Sequence, residues 1–433
     1  MDSPCYLFLT VISTKTVRPT KGQGGPQPFG QAETMMISGN DTAKDIPGKK
    51  NCCAFSPASQ EAERPVLDEA EGRSGAFAEC PADAVYGNSA NSGKERILYP
   101  DLLRIIAAFG VIILHVSATG YYHKYEAGTM GWQMRNLYDS LSRFSVPVFV
   151  MVSGIFLLNP GNAYSLKKLY FSKILKIAII YLFWSLFYAA VFVIQGKIRS
   201  GQDVSISLFA EKVLNGEYHL WFLFVICGLY MVSPVLRLIV RSENVMVYYL
   251  ILSLVFVFGV HMLDLFPFSR KIADLSIRRF DVSLVTGFSG YFVWGYWLST
   301  HKLGRNVRRI IYLAGIVAAV GTTVFNGVTE SCFRTPDGYF FPSILAMATA
   351  VFVFFQYGFQ GTSMPQRRRK LISLVGKWSF GIYLVHVFFC IALNYFSHRY
   401  PFLIPFTAII IFFASLITVY VLDKIPVVNK YLI

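Results

Sequence analysis

The sequence predicts an all-α polytopic membrane protein, with about ten transmembrane helices around a polar central cavity. Two observations support this fold class. Hydrophobic residues make up 54% of the 433 positions and charged residues only 15%, whereas a typical soluble domain carries about 25% charged residues. Apolar runs long enough to cross a bilayer recur from residue 97 onward. Such runs satisfy their backbone groups in lipid only as helices or closed barrels.

The N-terminal segment differs in composition from the rest of the chain. Residues 1–92 are rich in Gly, Pro, Ser, Ala and mixed charge and show no sustained periodicity, which predicts a disordered segment without a catalytic role. The apolar stretch Tyr6–Ile12 has neither the basic flank nor the cleavage site of a secretory signal. Residues 93–433 are predicted to form one membrane domain, because no connection between apolar runs is long enough for a soluble domain.

Ten apolar runs are the predicted spans, and the basic residues between them predict the orientation. The runs cover residues 97–118, 138–158, 174–195, 219–240, 245–263, 284–300, 308–326, 339–358, 371–394 and 402–422. Lys and Arg concentrate in the even-numbered connections, which predicts a multi-pass plasma-membrane protein with both termini in the cytoplasm. The same placement accounts for the net charge of +15. Lipid is therefore the expected partner, and a nucleic-acid-binding function is excluded.

The first span contains two polar residues that suggest a site. Arg104 lies near its start and His115 further in. Eleven residues at about 100° each bring both side chains to one helix face, roughly 16 Å apart along the axis. Because charge inside a bilayer is costly, such residues usually face a protein interior or a water-filled cavity.

Each of these residues has a structural and a functional interpretation. Arg104 alone would be a snorkelling arginine that reaches the headgroups, or a planar fork that binds phosphate. His115 alone would be a hydrogen-bonding residue between helices, or a general base that titrates near neutral pH. Their position on one stripe favours the functional interpretation of both.

The motifs along the chain resemble those of the acyltransferase-3 family of integral membrane acyltransferases. The family pattern is an arginine and a histidine ten residues apart in the first span, often after an aspartate, and Asp101, Arg104 and His115 match it. Further similar segments follow in order up to about Asp423: the second span with Pro147, Ser153 and Gly154, the motif Tyr218-His219-Leu-Trp221, residues 290–297, and Ser379–His386. Three positions depart from the family pattern: Lys173 and Lys176 replace a pair of arginines, and Ile155 replaces an aromatic residue.

This resemblance implies a reaction and its participants. The expected reaction moves an acyl group, most simply acetyl, from cytoplasmic acetyl-CoA to a hydroxyl of an envelope polysaccharide or lipid-linked glycan. The implied catalytic residues are His115, as general base, and Arg104. Arg104, Lys173 and Lys176 would bind the coenzyme A phosphates, although for the two lysines an anchor at the membrane surface is an equal alternative. A covalent acyl-histidine relay stays open as a variant.

Three further residues are candidates for the acceptor site. Arg143 is predicted to face the core near the outer leaflet and to bind the acceptor. His219 would contact the acceptor or cap its helix, and His386 would be a core hydrogen-bonding residue or part of the site. The sequence contains no zinc-type His-Glu-x-x-His motif, no Gly-x-Ser-x-Gly elbow and no phosphate-binding Gly-rich loop, so we expect no metal.

The alternative class is a membrane transporter or an amino-acid-binding membrane domain without acyl transfer. The membrane part of membrane-bound serine racemases is similar to this family, but no racemase domain follows here. A carrier would have the same helices and buried polar residues. Coenzyme A release distinguishes the two classes, because a carrier produces none.

Overall fold

The computed structural model describes residues 97–121, 128–161, 165–201, 205–263, 268–269, 271, 287–329, 336–359 and 364–432. The predicted disordered segment 1–92 lies outside these residues and stays a prediction. In the described part of the chain every regular element is helical, and the helical fold class predicted from the sequence is confirmed.

The α-helices follow one another with short 3-10 and π segments between some of them. In chain order they are α1 (Tyr99–Tyr121), α2 (Met130–Ser142), α3 (Ser145–Leu157), α4 (Leu175–Ser200), α5 (Ile206–Asn215), α6 (Trp221–Ile239), α7 (Glu243–Ser253), α8 (Val260–Leu263), α9 (Ser289–Thr300), α10 (Arg305–Thr329), α11 (Pro342–Gly358), α12 (Gln366–Arg399), α13 (Ile404–Asp423) and α14 (Pro426–Tyr431). A helical turn, Leu166–Lys168, and a π-helix, Leu169–Ile174, lead into α4. A second π-helix, Leu254–Gly259, joins α7 to α8, and 3-10 turns cover Tyr218–Leu220, Pro336–Phe340 and Pro401–Leu403.

Eight of the ten predicted spans have helices of full membrane length within the described residues. These helices are Tyr99–Ala118, Met130–Leu157, Leu166–Ile198, Ile206–Ile239, Glu243–Leu263, Arg305–Thr329, Gln366–Leu393 and Pro401–Asp423. The predicted eighth span is the shorter apolar helix α11, and the sixth is α9, whose 12 residues extend about 18 Å. The start predicted for the sixth span, residues 284–286, lies outside the described part of the chain.

The second span begins at Met130, eight residues before the predicted position 138. Its first half, α2, is polar, and hydropathy therefore did not identify it. The polar side chains of α2 are buried against other helices, for example Asn136, which donates to the Thr323 carbonyl of α10 at 2.8 Å. Pro147 lies in the first turn of α3. The N–H groups of a first turn have no partner within the helix, so a proline there costs no helical hydrogen bond.

Helices α1 and α12 form the centre of the fold and cross it in the same direction. More than half of the apolar part of each span is buried inside the protein, whereas the apolar part of α10 is only 17% buried. Near the start of α1, Asp101 lies so close to Gly376 of α12 that a Cβ added to the glycine would be 2.7 Å from the Asp101 Cβ. Further along both helices, His115 contacts His386. The two helices are therefore parallel, as the first and ninth spans must be.

A close crossing of α3 and α9 depends on glycine. A Cβ on Gly154 would collide with the backbone of Phe292, and a Cβ on Gly295 would collide with the backbone of Met151. Small residues permit this kind of close approach between membrane helices. Gly154, which belongs to the second-span motif, is one of the two glycines at this crossing.

We expect Gly154→Ala to lower the free energy of unfolding by about 1–3 kcal/mol, the usual cost of overpacking a core. The measurement is unfolding of purified protein in mixed detergent micelles. Gly228→Ala is the matched control, because Gly228 is also helical and a Cβ there meets nothing within 4 Å. Equal stability of the two variants would contradict the close crossing.

Candidate active site

His115 and His386 form a hydrogen-bonded pair between α1 and α12. The His115 Nδ1 atom lies 2.8 Å from the His386 Nε2 atom, and the two ring planes are within 18° of parallel. The other ring nitrogen of His386, Nδ1, lies 2.6 Å from the carbonyl oxygen of Tyr383. His386 is fully buried and His115 is half-buried. The protein thus engages both nitrogens of the inner ring, while the outer ring is the more accessible one.

His219 brings a third imidazole to this pair. Its ring centroid lies 5.6 Å from that of His386 in an edge-to-face arrangement. The residue is 1% exposed, and neither ring nitrogen makes a hydrogen bond of good geometry within the described residues. The nearby Leu384 carbonyl already accepts a hydrogen bond from the Tyr188 hydroxyl at 2.7 Å. Buried polar atoms without a partner are rare in proteins and mark a position where a ligand or water can bind.

The local backbone explains how His219 reaches the core. Helix α5 ends at Gly216, whose φ of 64° and ψ of 177° belong to a region that is essentially restricted to glycine. The chain then turns through the 3-10 segment Tyr218–Leu220 into α6. The Tyr383 hydroxyl donates a hydrogen bond to the His219 carbonyl and ties this turn to α12. Tyr188, Tyr218 and Tyr383 surround the His219 ring edge-to-face.

The three imidazoles do not form a metal site. Within the described residues, no group of three His, Cys, Asp or Glu side chains has an arrangement that could hold a metal ion. The arrangement instead offers one half-accessible imidazole supported by a buried one, which suits proton transfer.

Arg104 lies toward the other end of α1. Its Nη1 atom donates to the Asp101 carboxylate at 3.1 Å, and its guanidinium lies 4.7 Å from the centre of the Phe156 ring. Asp101, which precedes Arg104 by three residues in the family motif, is thus an ion-pair partner of Arg104. The Arg104 side chain retains 28% exposure while Asp101 is buried, so the guanidinium is oriented and still accessible.

Further basic residues gather at the same end of the fold. The positive charges of Lys173 and Lys377 lie close enough to Lys176 to repel its ammonium group. Lys377 follows Gly376, the residue that packs on Asp101 beside Arg104, and it pairs with Asp423 at 3.1 Å. Lys173 belongs to the π-helix Leu169–Ile174, a type of distortion that is frequent at functional sites. Residues from α1, α4 and α12 thus place positive charge at one end of the central helices.

Arg143 lies in a separate buried cluster. Its Nε atom donates to Asp139 at 2.7 Å, and both side chains are almost completely buried. The guanidinium lies 6.0 Å from the centre of the Tyr339 ring.

The predicted site residues thus fall into three groups. His115, His219 and His386 come together, Arg104, Lys173 and Lys176 share the basic end, and Arg143 pairs with Asp139. Their predicted roles in catalysis and binding stay predictions. Sequence reasoning missed Asp139 and Lys377. The sequence could have indicated Asp139, because an acidic residue four positions before Arg143 in a membrane span suggests an ion pair. No sequence pattern indicated Lys377.

These features define a polytopic helical membrane protein whose buried core contains three neighbouring histidines. The sequence profile of the family described as Acyl_transf_3, acyltransferase domain, matches residues 97–424. The chain therefore belongs to this acyltransferase family, as the motifs indicated. No curated protein and no solved structure matches the chain.

The Asp139–Arg143 pair gives a stability prediction. Asp139→Asn should lower the free energy of unfolding by about 3–5 kcal/mol, because it leaves a buried guanidinium without its counter-charge. Replacing both partners, Asp139→Asn with Arg143→Gln, should recover part of that loss. Thermal unfolding in detergent measures both effects.

Asp423→Asn provides the control for this prediction. It removes the carboxylate of the Lys377–Asp423 pair, whose lysine is 56% exposed, and exposed pairs contribute about 0–1 kcal/mol. If Asp139→Asn lowered the free energy of unfolding by no more than Asp423→Asn does, the Asp139–Arg143 pair would be solvated, and the prediction would be contradicted.

Proposed function

We propose that this acyltransferase moves an acyl group, acetyl in the simplest case, from cytoplasmic acyl-CoA to a hydroxyl of a cell-envelope carbohydrate. The observation that carries the proposal is the position of His115: half-buried in the central helix, held by a buried histidine, and on the same helix as Arg104. Multi-pass helices and family membership support a membrane acyltransferase.

In this proposal His115 acts as general base. The imidazole takes the proton of the acceptor hydroxyl while that oxygen attacks the thioester carbonyl carbon. A carbon–oxygen bond forms, the carbon–sulfur bond breaks, and the imidazolium returns its proton to the departing coenzyme A thiolate. The ester and free coenzyme A are the products, and the histidine ends in its starting state.

The basic end of the fold supports binding of the donor. Coenzyme A carries several phosphate groups, and Arg104 can bind phosphate through a planar fork while Lys173 and Lys176 act as point charges. His115 follows Arg104 by eleven positions along α1, roughly 16 Å at 1.5 Å per residue. The pantetheine arm is of comparable length, which would bring the thioester to the imidazole when the phosphates lie at Arg104.

The unsatisfied His219 supports binding of the acceptor. A sugar hydroxyl both donates and accepts hydrogen bonds, and the two ring nitrogens of His219 lack such partners among the described residues. We place the acceptor hydroxyl near His219 and His115 and assign Arg143 a role further along the glycan. The proposed orientation has the basic end in the cytoplasm and the acceptor arriving from the opposite side.

We expect His115→Ala to reduce acyl transfer at least 100-fold, the lower end of what a general base contributes. Acetyl incorporation into envelope glycan in a host lacking its own enzyme measures the effect. His301→Ala is the control, because His301 lies outside the three-histidine group and contacts Glu243 at 3.2 Å. Full activity of the His115 variant would remove the catalytic proposal.

The donor site gives a second expectation. Arg104→Ala and Lys176→Ala should each raise the KM for acyl-CoA by about 10-fold or more, because a hydrogen bond to a charged group contributes about 1.5–3 kcal/mol. Arg309→Ala, at an exposed position of α10, should leave the KM unchanged. Initial rates of thiol release from purified protein give these values, and an unchanged KM in both site variants would contradict the donor site.

Thiol release also separates this proposal from transport. A carrier or amino-acid-binding domain would neither consume acyl-CoA nor release coenzyme A. Acceptor-dependent thiol release by the wild-type protein therefore supports acyl transfer, and its absence over a panel of envelope glycans contradicts it.

A further inference from the structure

We infer that His386 is a positioning residue that sets the tautomer of His115, so that Nε2 carries the lone pair and is the atom that accepts the substrate proton. The inference rests on the proposed function and adds to it a specific orientation of the base. It is carried by the two hydrogen bonds of the His386 ring.

The first hydrogen bond fixes the proton on His386. A backbone carbonyl can only accept, so the His386 Nδ1 atom, 2.6 Å from the Tyr383 oxygen, must carry a hydrogen. A neutral imidazole has one N–H and one bare nitrogen. The Nε2 atom of neutral His386 is therefore an acceptor.

The second hydrogen bond, between His386 and His115, then determines which nitrogen of His115 carries the proton. The His386 Nε2 atom lies 2.8 Å from the His115 Nδ1 atom. Because His386 accepts there, His115 Nδ1 must donate, and the lone pair of neutral His115 lies on Nε2. The arrangement runs from backbone carbonyl to buried imidazole to outer imidazole, in the same way that a carboxylate orients the histidine of a serine protease triad.

The surroundings of His386 favour its neutral form. The ring is fully buried, and the titratable groups that face it are His115, His219 and Tyr383, with ring centroids 5.0, 5.6 and 5.9 Å away. No acidic side chain makes an ion pair or hydrogen bond with the ring within the described residues. Without a counter-charge, burial favours the neutral form, which is the form that the tautomer argument requires.

A purely structural role of His386 would depend on a different nitrogen of its ring. If His386 served only to secure its own helix, the bond to the Tyr383 carbonyl would be the one that matters. If it orients His115, the acceptor at the Nε2 position matters. The two amides separate these roles, because the end of Gln reaches the Nε2 position and the end of Asn reaches the Nδ1 position.

The experiment compares His386→Gln with His386→Asn in full-length protein, at equal folded amounts judged by size-exclusion chromatography. We expect His386→Gln to stay within about 10-fold of the wild-type kcat for acyl transfer. His386→Asn should lose 100-fold or more in kcat with an unchanged KM for acyl-CoA. The reverse ranking, or equal activity of the two variants, would overturn the inference.

The outcomes distinguish this inference from the proposed function. If wild-type protein transfers no acyl group, the proposed function fails first. If wild type is active and His115→Ala is inactive, the ranking at His386 tests the tautomer alone. Should neither variant fold, ¹⁵N NMR of histidine-labelled wild type decides, with the His115 signal identified by its loss in His115→Ala. A proton on Nδ1 supports the inference, and a proton on Nε2 contradicts it.

Discussion

The hydrogen bond between His115 and His386 is the interaction on which the polar core depends. An imidazole inside a membrane protein requires a partner, because lipid provides none. Pairing the two rings meets this requirement and also fixes how α1 and α12 lie against each other. The close packing of Gly376 on Asp101, at an earlier position in both helices, indicates the same parallel alignment. The central pair of helices therefore presents its catalytic candidates and its basic residues in a defined order.

In the proposed function, that order assigns the donor and the acceptor to opposite sides of the membrane. Arg104, Lys176 and Lys377 gather at one end of the central helices, where positive charge suits phosphate. The histidines and the tyrosines that pack on His219 lie further along these helices, where the proposed reaction would join a hydroxyl and a thioester away from bulk water. The shielded position matters for a transferase, because water at the same imidazole would hydrolyse the donor. The aromatic packing around His219 and the glycine crossing of α3 and α9 hold these groups in place.

The sequence predicted the helical class, most of the spans and the site candidates, because hydropathy and motif spacing report on single helices. It did not predict the start of α2 at Met130, because the polar residues of that helix look like a loop until α10 is seen packed against them. The role of His386 shows the same limit. Its residue type suggested a core hydrogen bond or a substrate contact, and only the tertiary structure identified His115 and the Tyr383 carbonyl as its partners. The sequence did not indicate Lys377 either, because only helix packing brings it close to Lys176.

The central claim is that the donor lies along α1, with its phosphates at the basic end and its thioester at His115. The most direct measurement is an electron cryomicroscopy structure of the protein with a non-cleavable thioether analogue of acetyl-CoA. The account predicts density for the phosphates beside Arg104 and Lys176 and the thioether sulfur next to the His115 imidazole. A donor bound at the opposite end of the central helices, or one whose sulfur lies away from both His115 and His386, would contradict it.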